Sequence, residues 1–321
     1  MDLVVAEGPI LQQLLDASHP IWADGLSPRG YARYNAGQLR TPWGRRHLRR
    51  YALVDRHGRP VTSAKRYDLT AVLDGRPVRT VGIGAVFTPE PERGQGHAQQ
   101  IIERVVSSAK AEGAELALLF SEIGTSYYKR LGFTPVSQHE QMFRVIEKRG
   151  APMVLVRSAE ERDLPAVTAL AQAMRAGHRF ALEQTQEFVR HGLAKKRLLA
   201  GFSEPGALIV EFFIVEEGAG AVAFAILTTA GEDDVVLEMC GDRDPEGSRV
   251  GALLQVLRAR TPAAEPVTIR GSLPPGWRPP QLSIERRVSP SAVMMMKPLK
   301  AGLLERPLVE SDILYWHGDL F

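Results

Sequence analysis

The chain holds a single cysteine, Cys240, among 321 residues, which excludes an internal disulfide. It lies in the apolar run 235–240 and reads as a buried strand thiol. HExxH and CxxC are both missing, so no metal site is expected. Long apolar runs are missing too. The run 207–215 is broken by Glu211, and no stretch approaches the ~20 apolar residues of a membrane helix. Residues 1–7 carry neither a basic n-region nor a long apolar core, so a secretory leader is not expected and the chain reads as cytoplasmic. An excess of one charge is absent: 40 Lys and Arg stand against 37 acids. The basic residues form no block interleaved with aromatics, so neither nucleic acid nor membrane is an expected partner. The densest basic cluster, Arg45-Arg46-His47-Leu48-Arg49-Arg50, is either a solvated helix face or a seat for an anionic ligand.

What the chain does have is an ordinary apolar fraction, 44%, and length enough for two cores. It also has one organising stretch, residues 80–98, TVGIGAVFTPEPERGQGHA. Residues 81–87 read as a buried strand. A Pro-broken turn leads to a glycine loop, Arg93-Gly94-Gln95-Gly96-His97-Ala98. From there Ile101, Ile102, Val105, Val106 and Ala109 recur at helical spacing, and Gly113 marks the stop. Strand, glycine loop and helix start together make an anion site. The first amides of a helix have no acceptor within it, and the dipole adds about half a positive charge. Gly94 and Gly96 let a phosphate approach the backbone, and Arg93 adds a full charge. The loop is not a dinucleotide fingerprint, because Gln99 stands where Gly or Ala is required. It also lacks the G-K-[ST] of a P-loop.

Arg93, Gly96 and Ala98 do fit R-x-x-G-x-A, and here the stretch resembles motif A of the GNAT N-acetyltransferases, which binds the pyrophosphate of acetyl-CoA. Further on, Tyr128, Gly132 and Phe133 resemble the Tyr-x-x-x-Gly-Phe that follows the second parallel strand in that family. The resemblance implies an α/β (α+β) GNAT fold. Its sheet is mixed and mostly antiparallel, with a central parallel strand pair and flanking helices. The residues support this independently. Strands at 51–55, 63–73 and 76–87, joined at His57-Gly58 and Asp74-Gly75, make a meander. The crossover through helix 98–112 to strand 116–120 requires a parallel pair. A short helix, 126–131, and a strand, 133–136, follow, and 141–145 is expected to pair with that strand. Ligands of open sheets bind beyond the carboxyl ends of parallel strands, here near Phe87 and Phe120. Trp22, Tyr31, Tyr34 and Trp43 either line a substrate site or pack on the core.

By the same resemblance, acetyl-CoA is the co-substrate. Arg93, Gly94, Gln95, Gly96, His97 and Ala98 would hold it, and amides near Val86 and Phe87 would face the thioester oxygen. Ser121 stands where the family often has an Asn that touches the cofactor, and Gly124 where it has Ala. Tyr128 falls on the family's general acid. A phenol of pKa about 10 is neutral at physiological pH and can donate to a thiolate. Its other reading is core packing beside Phe133. The family's glutamate base is missing from 81–88, which leaves Glu122 as the candidate, or as an exposed turn carboxylate. The expected reaction is direct acetyl transfer to a primary amine, on a small molecule such as an amino acid or polyamine, or on a protein. A homo-oligomer is a further expected assembly. The rival from another class is a non-catalytic acyl-CoA-binding sensor or scaffold.

Residues 149–152 mark a boundary, dividing the chain into a catalytic domain (1–149), a degenerate GNAT-like domain (150–300) and an aromatic tail (301–321). The second half repeats the order of the first. A capping box at Ser158–Glu161 opens helix 163–174, and helix 183–199 follows. Strands 208–216, 221–229 and 235–240, helix 250–257 and strand 267–271 come next, with Met294-Met295-Met296 as a last strand. The phosphate loop does not recur, and Asp242, Asp244 and Glu246 in its place would repel pyrophosphate. The tail, 312–321, is too aromatic for a free end and is expected to dock and close the amine pocket.

Overall fold

Two mixed sheets organise the computed structural model, which describes residues 1–146, 154–218, 220–231, 234–260 and 267–321. The boundary expected at 149–152 lies outside the described residues. The first half runs β1 (Asp2–Val5), α1 (Gly8–Trp22), α2 (Pro28–Arg40), α3 (Pro42–His47), β2 (Leu48–Val54), β3 (Pro60–Leu73), β4 (Arg76–Phe87), α4 (His97–Ala111), β5 (Leu116–Ser121), α5 (Ser126–Arg130), β6 (Thr134–Pro135) and β7 (Glu140–Val145). The second runs β8 (Leu155–Ser158), α6 (Leu164–Met174), β9 (Phe180–Leu182), α7 (Gln186–Phe202), β10 (Leu208–Glu217), β11 (Gly220–Ala230), β12 (Asp234–Asp242), α8 (Ser248–Arg260), β13 (Ile269–Gly271), β14 (Leu282–Val288), β15 (Val293–Pro298) and β16 (Ile313–Leu314).

The first sheet has the order β1-β2-β3-β4-β5-β15-β6, with β9 beside the end of β3 and β16 beside β9. The meander β2-β3-β4 is antiparallel, and β4 pairs with β5 in parallel, as the turn chemistry and crossover length require. The second sheet has the order β14-β7-β13-β12-β11-β10-β8, and its own parallel pair is β12 with β13. Counted from β8, this is the order of the first sheet over again.

One pairing corrects the sequence reading. Residues 141–145 do not pair with 133–136. Instead β7 crosses to the second sheet, between β13 and β14, while the Met strand β15 returns to the first sheet between β5 and β6. Met294, Met295 and Met296 are buried there. An alternating strand pattern fixes which face is buried but carries no label for the sheet it joins. One shorter difference is local. The capping box before α6 is formed by Glu160 and Asp163 rather than by Ser158. The strands β9 and β14 had no periodic signal and are additions.

Each face of the first sheet has its own cover. Ala64, Val81 and Ile83 pack with Ile101, Ile102 and Val105 of the amphipathic helix α4. On the opposite face Tyr67 and Leu69 pack with Trp43, Tyr315 and Phe321. Helices α1, α2 and α7 meet beyond them through Leu15, Tyr31, Leu199 and Phe202. The tail thus runs between the two sheets, with Trp316 only 1% exposed.

Candidate active site

The parallel ladder of β4 and β5 ends at Ile83 and Leu119, although β4 continues to Phe87. The strands therefore part, and the β5-facing edge of residues 84–87 has no strand partner among the described residues. A bulge sharpens the departure. The register with β3 shifts between Ser63 and Lys65, and Ala85 takes φ 46°. A left-handed alanine in a strand turns its amide out of the ladder. This is the place where the sequence located Val86 and Phe87. Phe87 itself is buried, pairs with Ser63, and its carbonyl accepts from Thr62 Oγ1 at 2.8 Å. Its ring meets Trp22 edge-on, so its side chain is core.

Past β4 the loop Arg93-Gly94-Gln95-Gly96 leads into α4. Gly94 and Gly96 both have φ near 80°, a conformation that L side chains rarely adopt, and a Cβ on either would meet nothing within 4 Å. Glycine is thus required by the backbone, and the space over it is open. Gly96 caps α4 without a side chain. Among the described residues, Gln100 is the first whose amide finds a carbonyl there, that of Gly96 at 3.0 Å. Among the described residues the amides of 94–99 have no acceptor, and the space over Gly94 and Gly96 is an open cradle with the helix dipole behind it. Arg93 is exposed and its Nε donates to the Thr88 carbonyl. Gln95 is exposed and folds back toward Pro91 and Glu92. His97 is buried with Nε2 3.7 Å from Glu92, and Ala98 is half-buried in the first turn.

Tyr128 lies on α5, buried on the same face as α4, with its ring edge-on to Tyr127 and Phe133. Burial first, then Tyr127 and the charge of Glu122, push its phenol up to about 12. Its hydroxyl has no hydrogen-bond partner among the described residues. Glu122 is exposed on the loop after β5, close enough for its charge to reach that phenol. Ser121 is buried, and its hydroxyl donates to the carbonyl of Gly124 within the same loop.

From the other face comes the tail. Phe321 packs on Tyr67 at 4.6 Å with the rings tilted by 41°, and it meets Phe120 edge-on at 5.2 Å. It lies on β4 itself: a Cβ on Gly82 would come within 2.7 Å of its ring, and one on Gly84 within 3.0 Å of its carbonyl oxygen. Two alternate glycines in a central strand are what such close approach needs. The tail is pinned along its length. His317 Nδ1 lies 2.7 Å from Glu140, Asp319 accepts from Gln184 Nε2 at 2.7 Å and from the Trp316 amide, and Lys195 donates to the Leu320 carbonyl. A cavity of about 50 Å³ lies beside it, lined by Tyr67, His191, Lys195, Trp316 and Phe321 among others. Phe321 belongs to the tail that was expected to dock and close the amine pocket, whereas Tyr67 and the two strand glycines under it were no part of the motif reading. Their only sequence signal was the i, i+2 spacing of the glycines.

The corresponding place in the second sheet is filled by protein. Asp242 accepts from the amides of Arg249 and Val250 at the start of α8, at 2.8 and 3.0 Å. A carboxylate of the chain thus sits where a phosphate would. Past the end of the β12–β13 ladder, Gly318 lies against the carbonyl of Glu238. Among the described residues no group of His, Cys, Asp and Glu could hold a metal, and no helix is long and apolar enough to cross a membrane.

Residues 29–136 match the acetyltransferase (GNAT) domain family. No curated protein sequence matches the chain. Among solved structures, the GCN5-related N-acetyltransferase from Anabaena variabilis superposes with TM-score 0.69 at 13% identity, over 93% of this chain and 73% of that one. A GCN5-related N-acetyltransferase from Kribbella flavida gives 0.62 at 16%, over 94% and 72%. The Saccharomyces cerevisiae N-myristoyltransferase with bound myristoyl-CoA gives 0.55 at 11%, over 92% and 83%. Residues 29–136 thus carry the match to the acetyltransferase (GNAT) domain family, and the chain as a whole shares its fold with these N-acyltransferase structures.

Proposed function

We propose that the chain transfers an acetyl group from acetyl-CoA directly to a primary amine. The observation that carries this reading is the pairing of two empty features on one strand–helix unit: the amide cradle of residues 94–99 and the unpaired edge of β4 at the Ala85 bulge. The cradle, with Arg93 at its mouth, would take the pyrophosphate. The Val86 amide would donate to the thioester oxygen, where negative charge develops. Tyr128, on the α4 face, would donate to the departing sulfur. The acceptor would approach from the opposite face, past Phe321 and Tyr67, so that amine and thioester meet through the gap between β4 and β5. Glu122 is the carboxylate we assign to carrying the amine proton toward solvent. The apolar ring wall of Tyr67, Phe120 and Phe321 keeps water from the acyl group.

A thiol-release assay with acetyl-CoA and a panel of amines tests this. Turnover with at least one amine is expected, and Phe321→Ala should lower kcat/KM for the amine about tenfold or more while leaving CoA affinity within about threefold. Tight CoA binding with no turnover on any small or protein amine would overturn the reading and leave the chain a sensor.

A further inference from the structure

The face of the first sheet that would receive the acceptor carries a row of cations that no Asp or Glu pairs with among the described residues, and the main-chain oxygen of Phe321 lies at its end, over Gly84. Arg50 on β2 is the register partner of Lys65 on β3, and Lys65 is the register partner of Gly84 on β4. Side chains of paired residues share a face, so Arg50, Lys65 and Gly84 stand in line, ending at the bulge. Arg50 is 4% exposed. Among the described residues its Nη1 has no hydrogen-bond partner, its Nη2 reaches Asn35 at 3.5 Å, and the guanidinium also has the Tyr31 hydroxyl as a neighbouring acceptor. Lys65 Nζ donates to Gln38 Oε1 at 3.1 Å, and Gln38 Nε2, itself in a side chain 1% exposed, has no partner. Ser63 Oγ, on the same face, has none either.

This is a surplus of buried donors. Each unmet donor costs free energy, and adjacent buried cations repel, so the arrangement is favourable only with an acceptor among them. Lys195 on α7 adds a third positive charge, felt by Lys65, which burial and both neighbours hold well below its usual range. Two side-chain carboxylates facing this space are held by other groups. Glu238 Oε1 pairs with Lys196 and Thr228, and Asp319 is bound by Gln184 and the Trp316 amide. Asp24 is exposed, and its charge acts on Lys195 and Tyr34. Neither Arg50 nor Lys65 forms an ion pair among the described residues.

We propose that the Arg50–Lys65 row seats an anionic group, a carboxylate or a phosphate, carried by the acceptor itself. The acceptor is then an amine bearing an anion, as in an amino acid, and not a bare polyamine. Neighbouring strands lie ~5 Å apart, so the anion would sit roughly 5–10 Å from an amine reacting at the gap between β4 and β5, beside Phe321. This assignment rests on the acetyl-transfer reading for its chemistry but not for the seat.

Two arms test it, one independent of turnover. With CoA saturating the cradle, acetate or inorganic phosphate should raise Tm by a few degrees over chloride at equal ionic strength. Arg50→Gln and Lys65→Met, made separately in case one fails to fold, should each lose that shift, and the exposed Arg56→Gln should keep it. In the kinetic arm, lysine is compared with cadaverine and phosphoethanolamine with ethanolamine. The anionic member of at least one pair should win by ~10- to 100-fold in kcat/KM, falling within ~3-fold in Lys65→Met. Which pair shows the preference tells carboxylate from phosphate. No anion-specific Tm shift, or one that survives in both variants, overturns the seat, as does equal handling of both pairs. An anion shift without turnover of any amine keeps the seat and removes the transferase reading instead.

Discussion

Replacing Tyr128 by Phe separates two roles that one phenol can play. The ring is buried against Phe133 and Tyr127, and Phe keeps that packing. The hydroxyl lost has no hydrogen-bond partner, so stability should change by less than about 1 kcal/mol. The chemical cost can be bounded from the phenol's acidity. At a pKa of about 12 it is neutral throughout the physiological range. Full proton transfer from it to a thiolate, whose conjugate acid has a pKa of about 8.5, would run uphill by about 5 kcal/mol. Tyr128 is therefore better suited to donating a hydrogen bond to the sulfur as charge develops, with the amine's own proton completing the exchange. A charge-assisted hydrogen bond is worth ~1.5–3 kcal/mol, or ~10- to 150-fold. We expect Tyr128→Phe to lower kcat by about a hundredfold, toward the lower end of general-acid effects. Stopped-flow thiol release gives kcat, and calorimetry gives the CoA affinity, expected within threefold of the parent. The sign of the pH effect is fixed as well. The raised pKa keeps the donor protonated as pH rises, so any alkaline loss of rate below about pH 11 must come from another group and must persist in the variant. A fall in kcat under threefold, or a CoA affinity that drops as far as kcat, refutes the reasoning.

Gly96→Val places a β-branched residue at φ 80° over the cradle. A left-handed L-residue costs ~1–2 kcal/mol, so Tm should fall by a few degrees while CoA affinity falls at least tenfold by calorimetry. Asp319→Asn should alter the pH profile of stability. Burial raises that carboxyl to about 7, so its stabilising contribution is full below about pH 4 and is lost as pH rises through 7. The Asn variant should show a flatter Tm between pH 4 and 7, by the equivalent of about 2–4 kcal/mol, and parallel profiles would contradict the assigned burial. Asp242→Ala strips two amides of their acceptor at the start of α8. It should cost about 1–2 kcal/mol in urea unfolding with no effect on CoA affinity, and a change in that affinity would mean that the second half also binds the co-substrate.

Local chemistry was legible in the sequence wherever short-range rules decide it. The bounds of β4 and the positions of α4 and α5 follow from apolar period, turn residues and glycine stops. So does the loss of the phosphate loop in the second half, since acids replace it. What stayed hidden is what sequence distance conceals. The pattern at 140–145 announces a strand with one buried face, and so does that at 293–298, but neither names its sheet. Arg50 was read within a basic cluster that was either a solvated helix face or a seat for an anionic ligand. The helix ends at His47, and from Leu48 the strand alternates, sending Arg50 inward and leaving Arg49 out. Phe321 could be seen as too aromatic to fray, but its resting place on Gly82 and Gly84 is a long-range contact with no local signature.

The crossing of β7 and β15 bears on how the molecule is made. Val293 lies opposite Ser121, so the strand that completes the wall of the acyl site is synthesised some 170 residues after its partner. The nascent first half cannot close its sheet on the ribosome, and it must wait with the edge of β5 unpaired, exposed to other chains. Pairings so distant along the chain also slow closure. Neither half, expressed by itself, would be whole. Expressed as separate pieces, 1–146 and 154–321 should form the site only when mixed, since each holds a strand of the other's sheet.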